Sequence, residues 1–126
     1  MKKVQNILFL LCSLFLISCE EVIELDLETA EPKLVIDATL HWEKGTTGNQ
    51  QIIRLSESTG FYNQEFPKAK NAIVWIVATT TNQIFQFSEI TDGVYNCNSF
   101  VPNLNETYLL HIEYKNEIFE GTEKIN

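Results

Sequence analysis

Basic residues are scarce in this sequence: nine lysines and arginines stand against seventeen aspartates and glutamates, a formal net charge of −8. An acidic surface repels phosphate, so nucleic acid is not expected as a partner and anionic headgroups are poor electrostatic ones. Histidine is scarcer still, with only two, His41 and His111. There is no H-x-x-x-H or Cys/His cluster, no G-x-S-x-G elbow and no phosphate-cradling glycine loop. Each histidine reads as a solvent-facing or hydrogen-bonded strand residue rather than a ligand or base. Ser56, Ser58, Ser88 and Ser99 have no basic partner nearby in sequence, so hydrolytic chemistry would need a triad assembled through space. The expectation is a protein without catalytic residues, metal or cofactor. Internal repeats, low-complexity tracts and apolar runs of about twenty residues, the length of a membrane span, are also missing.

What is present begins with the leader. Lys2 and Lys3 form a positive start, and residues 7–17 are almost wholly apolar. That is the grammar of a secretory signal peptide. It ends in Leu16-Ile17-Ser18-Cys19, which resembles the bacterial lipobox: an aliphatic residue, a tolerated position, a small residue and a cysteine whose thiol accepts a diacylglyceryl group. The reading is a signal peptide over 1–18, cut before Cys19, with lipid on that cysteine. Acyl chains contribute about 0.8 kcal/mol per buried CH₂, so several of them anchor a protein stably. Loss of Lys2 and Lys3 with the leader makes the charge two units more negative. Glu20 and Glu21 resemble the acidic export signal that takes Bacteroidetes lipoproteins to the cell surface; a solvated linker on a periplasm-facing protein is the alternative. Of the three cysteines, Cys12 falls in the leader and Cys19 in the anchor. Cys97 is left alone, so no intrachain disulfide is expected and Cys97 reads as a half-buried strand residue.

The remaining chain is long enough for one domain with its own core. Residues 19–31 form an acidic neck in which Val22-Ile23-Glu24-Leu25-Asp26-Leu27 alternates, as a first edge strand would. Residues 33–42 alternate clearly, with Leu34, Ile36, Ala38, Leu40 and Trp42 on one face. Residues 43–49 are a glycine-containing turn and 51–55 a short strand. Residues 56–71 lack periodicity and hold Phe61, Tyr62 and Phe66. These aromatics make a candidate binding loop, or else cap one end of the core. Residues 72–78 (AIVWIVA) are apolar on both faces and read as a central strand covered on both sides. A turn over 79–82 returns the chain along 84–87, Thr91-Asp92-Gly93 is a turn, and 94–96 is a brief strand. A loop over 102–106 leads to 107–114, where Tyr108, Leu110, Ile112 and Tyr114 share a face. Lys115-Asn116 is a two-residue turn from which 117–122 pairs back. No helical period follows the leader. About seven short strands at this spacing predict an all-β antiparallel sandwich over 32–126.

The order Cys19-Glu20-Glu21-Val22-Ile23-Glu24-Leu25-Asp26-Leu27, then Pro32-Lys33-Leu34-Val35-Ile36, resembles the start of the DUF4249 lipoproteins of Bacteroidetes. Ala72-Ile73-Val74-Trp75-Ile76, Gly93-Val94-Tyr95 and Thr107-Tyr108-Leu109-Leu110 resemble strand motifs of that family's first domain. The resemblance implies an immunoglobulin-like or transthyretin-like fold and a lipid-anchored outer-membrane protein. It carries no catalytic residues. It also implies a role beside a TonB-dependent transporter, as a non-catalytic binding or docking domain accessory to nutrient import. Two alternatives stand: a structural spacer or envelope assembly module, or a fragment of a longer lipoprotein, because family members usually continue into a larger second part. A glycine often precedes the Thr-Tyr strand in that family; here Asn105-Glu106 stands in its place.

Overall fold

The computed structural model describes residues 1–13, with the backbone alone for 8–13, then residues 30–60, 63 and 65–126. Leu16, Ile17, Ser18, Cys19, Glu20 and Glu21 lie outside the described residues, as does the alternating stretch 22–27. The first residues form one helix, α1 (Lys2–Ser13). No helix among the described residues is long and apolar enough to cross a membrane.

Seven strands follow: β1 (Leu34–Asp37), β2 (Gln51–Glu57), β3 (Ile73–Ala78), β4 (Gln83–Thr91), β5 (Val94–Cys97), β6 (Thr107–Tyr114) and β7 (Glu117–Lys124). They join in the order β1-β2-β5-β4-β3-β6-β7, antiparallel at every pairing. The fold is therefore all-β and sandwich-like. Strand β4 belongs to both halves: residues 83–87 pair with β3 and residues 88–91 with β5. A register shift between Glu89 and Thr91 marks a bulge, which strengthens local twist and lets the sheet turn.

Alternation makes the core. On β2, Ile53 and Leu55 are buried while Ile52 and Arg54 are exposed. On β3, Val74, Ile76 and Ala78 point inward, joined by Phe85 and Phe87 of β4, Tyr95 and Cys97 of β5, and Tyr108 and Ile112 of β6. Phe100, in the loop after β5, is fully buried. Its ring meets Phe85 and Tyr108 edge-on at centroid distances of 4.9 Å each, the geometry that the ring quadrupole favours. Tyr95 carries its hydroxyl into the core and uses it fully, donating to the Ala69 carbonyl (2.9 Å) and accepting the Ala72 amide (3.0 Å). Burial pushes the Tyr95 phenol above its ordinary pKa.

The turns follow their residues. Lys115 and Asn116 both take positive φ (49° and 65°), as a two-residue hairpin turn requires. Gly93, at φ 69°, is packed so closely that a β-carbon would fall against the Leu55 carbonyl oxygen. Asn105 takes φ 64°, a left-handed conformation that glycine favours and asparagine tolerates. Beside it, Glu106 is nearly buried, and its Oε1 accepts the amides of Thr80 (3.1 Å) and Thr107 (3.0 Å). The Thr80 amide is the main cause holding the Glu106 carboxyl below the usual range.

Four details differ from the sequence reading. The strand expected over 33–42 ends at Asp37. Beyond it, the Gln51 side chain stands in for a neighbouring strand, accepting the His41 amide (3.0 Å) and donating to the His41 and Gly48 carbonyls (2.8 and 2.7 Å). Trp42 is accordingly outside the core: its indole donates to the Thr46 carbonyl and its ring lies over Gly48. The central strand β3 is covered on one face only; Ile73 is half exposed, and Trp75 and Val77 are partly so. Cys97 is buried fully rather than by half, with Sγ 3.4 Å from the Ser99 hydroxyl.

Candidate functional site

Two surfaces stand out. The first is a seam where the ends of the sheet order approach each other. The β1 side contributes Ala38, Thr39 and Leu40, and the β7 side contributes residues 121–125. Ile76, Tyr108 and Leu110 form an apolar floor beneath a groove of about 560 Å³. The seam continues as a second groove of about 420 Å³ between residues 31–34 and Tyr114, Lys115, Glu117 and Phe119.

At that second end, Glu57 of β2 bridges to the β6–β7 hairpin. It accepts the Tyr114 hydroxyl at 2.9 Å and is paired with the Lys115 ammonium. Lys115 first, then the Tyr114 hydroxyl, holds the Glu57 carboxyl below the usual carboxylate range. The same carboxylate raises Lys115, while burial first and Glu57 second raise Tyr114. This polar clasp ties the sheet ends together at one end and leaves the Ala38–Leu40 end open.

The second surface is the outer face of β3, β4, β6 and β7. His111 stacks on Trp75, with ring centroids 3.9 Å apart and an interplanar angle of 19°. Its Nδ1 lies 2.9 Å from Glu120 and its Nε2 3.4 Å from Glu113, so both ring nitrogens meet carboxylates. Around this cluster Ile73, Ile84 and Ile118 are 50%, 63% and 64% exposed. The face thus carries exposed isoleucines around a polar centre. His41 is exposed and joins the Gln51 side chain through its backbone. Among the described residues neither histidine has a hydroxyl or thiol as a side-chain hydrogen-bond partner. Among the described residues there is no grouping of His, Cys, Asp and Glu that could hold a metal ion.

Of the expected binding loop, Phe66 is exposed, while Phe61 and Tyr62 lie outside the described residues. Phe66 lines neither groove of the seam. The loop is pinned behind it, where Lys68 bridges to Ser56 and the buried Ala69 donates its amide to Leu55. The seam itself was missed by sequence reasoning because it is a product of topology: β1 and β7 are some eighty residues apart in the chain and become facing edges only once the sheet folds over. Its one sequence signal was Ala38 and Leu40 alternating past the end of β1.

The chain belongs to the DUF4249 family, described as a domain of unknown function, whose model matches residues 20–126. No curated protein and no solved structure matches the chain.

Proposed function

We propose that the protein is a lipid-anchored lipoprotein of the outer membrane, of the Bacteroidetes type, whose β-domain is a non-catalytic docking module beside a TonB-dependent importer. The observation that carries the reading is the junction at Cys19: the Leu16-Ile17-Ser18-Cys19 sequence ends one residue before the family match begins at Glu20. Lipid would then be attached at the first residue before the domain, with Glu20 and Glu21 directing display at the cell surface. An open apolar seam and a face with exposed isoleucines supply surface for a partner, while both ring nitrogens of His111 meet carboxylates. A spacer or assembly role would use the same surfaces without a transported ligand.

Cys19→Ala is the test of the anchor. The wild-type chain takes up radiolabelled palmitate and sediments with outer membranes; the variant loses both. A variant that stayed labelled and membrane-bound would end the lipoprotein reading. For the docking role, the tagged full chain should bring down a TonB-dependent transporter from solubilised outer membranes.

A further inference from the structure

The hydrogen-bond phase of the two edge strands can be worked out. Tyr114 and Glu117 flank a two-residue turn, so they form a mutually bonded pair. Bonded pairs then recur at every second residue, and the amides and carbonyls of Ile118, Glu120, Thr122 and Lys124 point to the edge of β7 that has no strand beside it among the described residues. On the other side, the Ser58 amide bonds the Lys33 carbonyl, which directs the backbone of Leu34 and Ile36 away from β2 and toward the seam. Ala38, Thr39 and Leu40 continue this line with no backbone hydrogen bond among the described residues. Every pairing between β1 and β7 in the sheet order is antiparallel, six in all. The two edges therefore run in the same direction, and a single strand antiparallel to one is antiparallel to the other.

We propose that the seam receives one extended peptide from a partner protein, an eighth strand that pairs with β7 and β1 and closes the sheet. Its inward side chains are apolar, to meet Ile76, Tyr108 and Leu110. Its outward ones include lysine or arginine: the margin side chains that face outward are Glu31, Asp37 and Glu120 against Lys33 and Lys124. Glu117 and Glu123 on the inner side of β7 make the surroundings more acidic still, with Lys115 already paired to Glu57. The same acids oppose pairing between two copies of this chain. Backbone bonds supply affinity and alternate side chains supply selectivity, the usual division in strand addition. The proposal rests on the docking reading and names its site.

The test uses the full chain in detergent and a synthetic peptide alternating lysine with valine, of the same eight-residue length as β7. Binding should protect the amides of Ile118, Glu120, Thr122 and Lys124 from hydrogen exchange. Replacing lysine by glutamate, or N-methylating alternate peptide bonds, should weaken it by about tenfold or more, roughly 1.4 kcal/mol. Gly121→Val should weaken it similarly without unfolding the domain, since a β-carbon at Gly121 meets nothing within 4 Å and only narrows the groove. No binding by a folded chain, equal binding of the N-methylated peptide, or those four amides already protected before peptide is added would each overturn the proposal. A transporter recovered equally by wild type and Gly121→Val would overturn the seam and leave the docking role standing. Peptide binding with no transporter recovered would do the reverse.

Discussion

Strands β3 and β7 belong to the same sheet and live under opposite conditions. β3 is bonded on both edges, by β4 and by β6, and buries Val74, Ile76 and Ala78. Among the described residues β7 is bonded on one edge, and of its side chains only Phe119 is partly buried. The difference separates two tasks. Closed, doubly paired strands carry the stability of a domain, and its openings are drawn from margins where little is buried. Here the margin is where β1 and β7 leave backbone and apolar floor available, so the part that holds the fold and the part that can meet a partner are different strands.

The sharpest way to break the centre is at Phe100. Its ring fills the space between Phe85 and Tyr108, so Phe100→Ala should cost roughly 3–5 kcal/mol, read as a lowered midpoint in urea unfolding. Gly93→Ala comes next: a positive φ and contact with the Leu55 carbonyl should cost about 1–3 kcal/mol through strain, in the same assay. Gly93 lies where β5 leaves its turn, so this change tests whether β5 behaves as centre or margin.

The smallest effect is at the clasp. Glu57 has its pKa lowered in the folded protein, so it favours folding above its unfolded value near 4.5, and that contribution is lost as pH falls through the lower folded value. Glu57→Gln should therefore flatten the acid side of the stability-against-pH curve, and also the alkaline side, where Lys115 and Tyr114 lose their Glu57-dependent contribution as they deprotonate. An unchanged acid limb would mean that the clasp does not hold the seam.

Much of the centre was legible in the sequence. The alternation of Tyr108, Leu110, Ile112 and Tyr114, the Lys115-Asn116 turn and the Thr91-Asp92-Gly93 turn are local signals, and β6, β7 and the β4–β5 hairpin follow from them. The apolar run 72–78 marked β3 as an interior strand, which it is, paired with β4 and β6. It also suggested cover on both faces, because an apolar outer face and a covered one look identical in sequence. Phe100 was hidden among polar neighbours, Asn98 and Ser99, with no period to mark it. Gln51 gave no sign that its side chain would replace a strand. The candidate site was the least legible part: Phe66 could be named, but the seam depends on which strands become edges, and no local pattern encodes that.

Amide-resolved hydrogen exchange on the full chain, without any added peptide, tests the contrast most directly. Slow exchange across β3 (Ile73–Ala78) together with fast exchange at Ile118, Glu120, Thr122 and Lys124 is the result expected of a closed centre and an open seam. Equal protection of both strands would contradict it.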